Sequence, residues 1–287
     1  MQTLFLYYRF SMRKALIALT ILAATVCVIP AGAQSEQPDS LTGSRITTSA
    51  YMIGGGPTRI LDTYLSQEHF SGNGITFLAS AERQRPGRHW STVMEHQANL
   101  SFADDRSNTA DELEGSYGFF WGKYRSWTLL GDRLLIQGGA MANATVGFIY
   151  NTLNGNNPAQ ARLSLNIMPS AAATYRFTLW QKRMAVRYEL QMPLVGVMFS
   201  PNYGQSYYEL FSRGDYDHNI IPTTFVSAPY FRQQLSFDVN FTHRFTLRVS
   251  YLGDYQQSHV NNLKSHIYTH RLMIGMVKRF KIINYRP

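Results

Sequence analysis

Apolar and polar residues alternate along this chain in runs far longer than a soluble protein needs. From Arg88 the sequence reads RHWSTVMEHQANLSFADD. Trp90, Thr92, Met94, His96, Ala98, Leu100 and Phe102 fall on one side. Ser91, Glu95, Gln97, Asn99 and Ser101 fall on the other, with Val93 the one apolar exception. A period of two over this length predicts a strand with one apolar and one polar face, about twice the usual globular length. The same period recurs at Met184–Leu194 against Arg183, Arg187, Glu189 and Gln191, at Leu235–Phe241, and at Phe245–Tyr251.

Ten such segments are predicted: 45–55, 73–84, 89–103, 113–126, 132–150, 161–178, 183–197, 231–241, 244–254 and 265–280. Their connections alternate in length. RPGR (85–88), SWTLLGD (126–132), LWQK (179–182) and TH (242–243) are short. Between them lie 57–72, 103–114, 151–160, 198–230 and 254–265, which are longer and polar. Short turns alternating with long loops predict an all-β, antiparallel, up-and-down transmembrane barrel of about ten strands, twelve being the alternative. Its apolar face meets lipid and its polar face the lumen, because only a closed sheet pairs every backbone group in lipid. No helix is expected outside the leader.

Composition agrees with that solvent. Charged residues make up 16% of the chain and aromatics 14%, with 18 Tyr and 17 Phe, so charge is scarce by globular standards. The start adds a compartment. From Met12, MRKALIALTILAATVCVIPAGAQ has a basic n-region, an apolar core and an Ala31-Gly32-Ala33 cleavage pattern. Residues 1–33 are therefore read as a signal peptide, with 1–11 an upstream misassigned start. Residues 34–44 form a periplasmic leader and 45–287 the barrel. Cleavage would remove Cys27, the one cysteine, and Arg9, Arg13 and Lys14, taking 27 basic residues to 24 against 18 acidic, a net +6. Export argues against nucleic acid as the partner, and the positive balance suits an anionic lipid surface such as lipopolysaccharide. The final strand, HRLMIGMVKRF, places Phe280 near the chain end, where outer-membrane barrels engage their assembly machinery.

Two stretches, SAYMIGGGPTRILDTYLSQEHFSGNGITF (49–77) and PLVGVMFSPNYGQSYYELF (193–211), resemble a family of unknown function from Bacteroides-type bacteria. The resemblance extends over most of the mature chain. It implies an exported outer-membrane barrel and carries no mechanism, because the family has no established activity or catalytic residues.

Candidate chemistry is sparse. HFSGNG (69–74) resembles the His-x-Ser arrangement of outer-membrane phospholipases and lipid A deacylases. His69 would activate Ser71 and Glu82 would orient the imidazole, although parity sets His69 and Ser71 on the lipid face. RGDYDH (213–218) resembles the Asp–His pairing of outer-membrane aspartyl proteases, without their second acidic pair. No metal or cofactor is expected. Parity directs Glu82, Glu95, Arg187, Glu189, Asp238, Arg248 and Arg271 into the lumen as a charge network, in a ring little wider than side chains can fill. At the long-loop end Asp62 and Tyr64 are expected to meet Tyr203, Gly204, Ser206, Tyr207, Tyr208 and Glu209 in a lid across the mouth. The expected function is a structural or envelope role with a filled lumen. A narrow small-solute or ion channel and a lipid-modifying hydrolase are the alternatives, and any external ligand is open.

Overall fold

The computed structural model describes residues 45–155, 157–241 and 245–282. The signal peptide, the 34–44 leader and the turn read at 242–243 lie outside them. Among the described residues twelve strands and one short helix follow in chain order. They are β1 (Arg45–Asp62), β2 (Phe70–Gln84), β3 (Trp90–Asp104), β4 (Asp111–Leu129), β5 (Leu134–Asn151) and β6 (Ala159–Leu179). After these come β7 (Lys182–Gln191), β8 (Val195–Phe199), α1 (Tyr207–Arg213), β9 (Ile220–Thr224), β10 (Tyr230–Asn240), β11 (Thr246–Val260) and β12 (Leu263–Ile282).

Ten strands close an antiparallel ring: β1 to β7 pair in sequence, β7 pairs with β10, then β10 with β11, β11 with β12, and β12 with β1. The two extra strands prolong the wall. β8 continues β7 along β6 after a break at Pro193, whose ring nitrogen cannot donate to a ladder. The flanking amides carry the ladder past it, Met192 N donating to Pro169 O and Leu194 N to Ile167 O. β9 pairs with β8 and leads into β10 across residues 225–229, where the carbonyls of Ser227 and Pro229 accept from His259 and Gln257 of β11. Ten strands are thus the closed ring, and β8 and β9 lengthen the two staves that β7 and β10 begin.

The strands overrun the limits set by composition. β1 continues to Asp62 and β2 begins at Phe70, so most of 57–72 is wall rather than loop. The polar run 254–265 is mostly β11 and β12, joined by a turn of Asn261 and Asn262 at φ 51° and 59°. Polar residues do not end a strand whose inner face is polar: Asp254 and Thr269 point inward while Tyr255 and Tyr268 alternate outward. Two consecutive left-handed residues make the two-residue turn that matches strand twist. Trp180 and Gln181 do the same between β6 and β7.

Parity sorts the barrel into two solvents. Ile53, Trp90, Phe102, Trp121, Leu165 and Ile274 stand exposed on the outside. Such a surface all round a closed sheet suits lipid, and water would leave an apolar area far beyond what monomers tolerate. Inside, Met52, Leu78, Leu252 and Met273 form one apolar cluster, and Val93, Phe120, Tyr124, Met141, Met168 and Tyr230 a second. A third, centred on Ile60, Phe70, Ile149 and Ile267, closes the end that carries the long loops. The lumen holds a core.

Candidate functional site

Arg232 sits at the centre of the lumen. On β10 its side chain is 2% exposed and reaches three strands. Nε donates to Gln97 Oε1 at 2.9 Å and Nη1 to Gln191 Oε1 at 2.9 Å. Nη1 also lies 3.0 Å from Glu95 Oε2, an ion pair by distance rather than an aligned hydrogen bond. The Phe120 ring lies 4.8 Å beneath the guanidinium carbon. A planar, permanently charged fork suits such a site, since it satisfies several acceptors at once and stacks on an aromatic face. The lumen is bridged from β3 through β10 to β7.

Towards the short-turn end a second set follows. Arg187 donates to Glu189 at 2.9 Å and to Gln137 at 2.6 Å, and Gln137 donates to Glu82 at 2.7 Å. Arg248 grips Asp238 with two bonds of 2.6 and 2.7 Å, the bidentate form that a guanidinium and a carboxylate prefer. Arg271 stands apart. Fully buried, it donates to Thr76, Thr58 and Ser101 and to the carbonyls of Gly56 and Pro57. The seven residues assigned to one network therefore lie in four groups: Glu95 with Arg232, Glu82 with Arg187 and Glu189 through Gln137, Asp238 with Arg248, and Arg271 apart. Arg232, Gln97, Gln137 and Gln191 were missed. Parity held the signal for Arg232, which is even-numbered like its inward neighbours Gln234 and Ser236.

At the long-loop end the two family-like stretches meet. Asp62 Oδ1 accepts from Tyr64 N at 3.0 Å and fixes the β1–β2 turn. Tyr64 Oη donates to the Gln205 carbonyl at 3.0 Å, and its ring meets that of Tyr207 edge-on at 5.8 Å. Tyr207 Oη accepts from Ala161 N at 2.7 Å and donates to Gln160 at 2.9 Å. Burial pushes the Tyr64 hydroxyl up to about 12, with the nearby charges of Asp62 and Glu209 adding to it. Burial also raises Tyr207. Asn154 ties the 152–158 loop to Leu65, and Asn261 ties the β11–β12 turn to Ser200 and His218.

A helix was not expected in this loop, yet α1 occupies it. Ser206 caps it by accepting from Glu209 N, while Glu209 accepts from Ser206 N, and Gly214 ends it at φ 71°. That reciprocal arrangement is the capping box. The Ser206 amide holds the Glu209 carboxyl below its usual range. Gly204, at φ 80°, takes the left-handed place in the preceding turn, which Gln205 N closes on Asn202 O. Tyr203 and Tyr208 point into solvent, and Arg213 lies over the Tyr208 ring at 5.7 Å. Only Tyr207 of the Tyr207–Tyr208 pair faces the β1–β2 loop.

The hydrolase set does not assemble. Ser71 faces outward on β2 and His69 precedes the strand, its ring 5.4 Å from that of His266. Glu82 faces inward eleven residues further on, roughly 36 Å away at the strand's rise. No bulge reverses this parity, because the β1–β2 register runs unbroken from Phe70 to Gln84. In RGDYDH, Asp217 pairs with His218 on an exposed turn, and Asp215 is held through its backbone, its amide donating to the Glu209 carbonyl and its carbonyl accepting from Gln205 Nε2. Among the described residues no cluster of three or more His, Cys, Asp or Glu could hold a metal.

At the short-turn end the lumen opens into a cavity of about 1090 Å³. Glu82, Glu95, Arg187, Glu189, Asp238 and Arg248 are among the residues that line it.

The model of the family described as "Protein of unknown function (DUF3316)" matches residues 15–287, and the chain belongs to that family. No curated protein matches it. Among solved structures it is similar to the translocator domain of autotransporter NalP from Neisseria meningitidis, at 13% identity over 95% of this chain and 98% of that one, with a TM-score of 0.35. The transport unit of the autotransporter AIDA-I from Escherichia coli is similar at 7% identity over 91% and 96%, with a TM-score of 0.39. Ail, the attachment invasion locus protein of Yersinia pestis, is similar at 10% identity over 81% and 98%, with a TM-score of 0.30.

Proposed function

We propose that this member of the family is an outer-membrane barrel with a structural role in the cell envelope, its lumen filled by its own side chains. The closed ring and its apolar exterior support the membrane assignment, because each backbone group is paired within the sheet. Short turns then face the periplasm and long loops the outside. The leader at residues 12–33 would deliver the chain there, lipopolysaccharide would surround its outer half, and the assembly machinery would insert it. The observation that carries the filled lumen is Arg232: a guanidinium bonded to residues of β3 and β7 and stacked on Phe120 of β4 spans the lumen, which supports a blocked path at its level.

The test is conductance. Protein refolded into planar bilayers should show a heat-modifiable band on gels and no resolved current steps. Discrete steps from the native chain would overturn the filled lumen and favour the narrow channel. A chain that stays soluble and monomeric without detergent would overturn the membrane assignment.

A further inference from the structure

The short-turn cavity is built asymmetrically in charge. Seven cationic and four acidic residues line it. All four acids are engaged: Glu189 with Arg187, Asp238 with Arg248, Glu95 with Arg232, and Glu82 with Gln137. The surplus sits nearer the rim. Arg133, Arg176, Lys182, Arg183 and Arg279 line the opening, and among the described residues none of these five is ion-paired.

Their placement follows from register. Arg176 N donates to Arg133 O, Arg183 pairs with Thr178 two residues beyond Arg176, and Arg279 pairs with Thr48. The last residues of β6 and β12 and the first of β7 thus bring long cationic side chains to one mouth. Arg83, Arg85 and Arg88 stand at the same end of the barrel. A concave wall of one sign over an apolar frame focuses field lines and concentrates counter-ions. Guanidinium forks match the oxygens of phosphate in pairs. The volume exceeds that of ordinary small-molecule pockets, and the plug at Arg232 makes the space a cup with a floor.

We propose that this cup is a binding site for a multiply charged phosphate ligand, entering from the periplasmic side, with Arg133, Arg176 and Arg183 as its principal contacts. The side of entry rests on the orientation proposed above; binding itself does not. The phosphate can belong to a free molecule or to an anionic lipid headgroup.

Full-length protein in zwitterionic detergent, titrated calorimetrically at about 50 mM salt, distinguishes these sources. Inorganic pyrophosphate is one arm and monomeric dihexanoyl phosphatidylglycerol the other. Saturable binding of pyrophosphate assigns a free phosphate, and binding of the lipid alone assigns a headgroup. In either case Arg133→Gln/Arg176→Gln/Arg183→Gln should raise Kd at least tenfold and flatten its dependence on salt, while Arg85→Gln/Arg88→Gln, at the same end outside the cavity, should change it less than threefold. Both variants must keep the native unheated gel mobility; if the triple variant does not, single Arg176→Gln, at a solvent-exposed side chain, is read for a threefold or greater rise. Overturning results are no saturable binding in either arm, equal affinity after loss of the rim arginines, or tighter binding of hexaglutamate than of both phosphates. Silent bilayers with no binding would sink the cup alone, and current steps with binding would sink the filled lumen alone.

Discussion

Arg232→Met is the sharpest test of the lumen as a load of matched polar groups. The substitution keeps an unbranched chain over Phe120 and removes one charge. It strands Glu95, 3% exposed, without its cation, and leaves Gln97 and Gln191 each without the donor they accept from. Removing one partner of a buried ion pair costs about 3–5 kcal/mol. Each orphaned carbonyl adds about 1–3 kcal/mol where it cannot find water. The three groups share one site, so these costs overlap, and a total near 5 kcal/mol is expected.

The second variant separates unpaired charge from lost packing. Arg232→Met/Glu95→Leu removes both charges and should recover about half of the loss or more, because an apolar pair of similar volume is often as stable as a buried ion pair. The assay is urea unfolding in detergent micelles, read by the gel shift between folded and unfolded bands. A single variant within about 1 kcal/mol of the native chain would refute the argument. So would a double variant no more stable than the single one, since the cost would then lie in packing.

At the loop end, Tyr64→Phe should cost about 1 kcal/mol through the lost bond to the Gln205 carbonyl; Tyr207→Phe should cost more, since it orphans the Ala161 amide. Protease cleavage within 200–219 reads both. The Asp105 carboxyl is held down at about 2, chiefly by the Ser107 hydroxyl and then by Thr109 and Ala110. A depressed folded pKa means its contribution to the β3–β4 turn is present above the unfolded value of about 3.9 and lost as pH falls from there through about 2; an NMR titration of the Thr109 amide should move in that window, and a midpoint near 4 would refute it. Gly275→Val should abolish the folded band, because a Cβ there would meet the Tyr51 carbonyl oxygen and Met52 of β1.

How much of this was readable from residue order depends on the scale of the signal. Alternation fixes each strand's two faces, because a one-residue slip would turn a whole apolar set into the lumen. That is why Glu95, Arg187 and Asp238 could be assigned inward from parity. Strand ends were less legible. At 57–62 and 254–260 the polar composition suggested loop, but a barrel strand keeps pairing beyond the apolar belt, and its ends are polar for that reason. The helix was legible in another code. Ser206 and Glu209 stand at capping-box spacing and Gly214 at the stop, yet seven residues are too few to show a helical period.

Parity gives a direction but no partner, and the division of the lumen shows why that matters. Arg232 and Arg271 both point inward at similar burial, yet one is charge-paired and the other is held only by hydroxyls and carbonyls. The difference arises from register across strands far apart in sequence: Gln97 reaches Arg232 over 135 positions, and Thr58 reaches Arg271 over 213. No local pattern encodes such a pairing; closure of the ring does, by bringing β1 against β12 and β7 against β10. The same closure decides what the inward charges can do. Deep in the ring Glu95 meets Arg232, Glu189 meets Arg187 and Asp254 meets the Gln97 amide, and the result is a plug. At the short-turn mouth Arg133 just before β5, Arg176 of β6, Arg183 of β7 and Arg279 of β12 line open space with no ion-pair partner among the described residues. Charge that is structural in the middle of the barrel becomes available at its end, because there the partner is missing rather than because the residues differ.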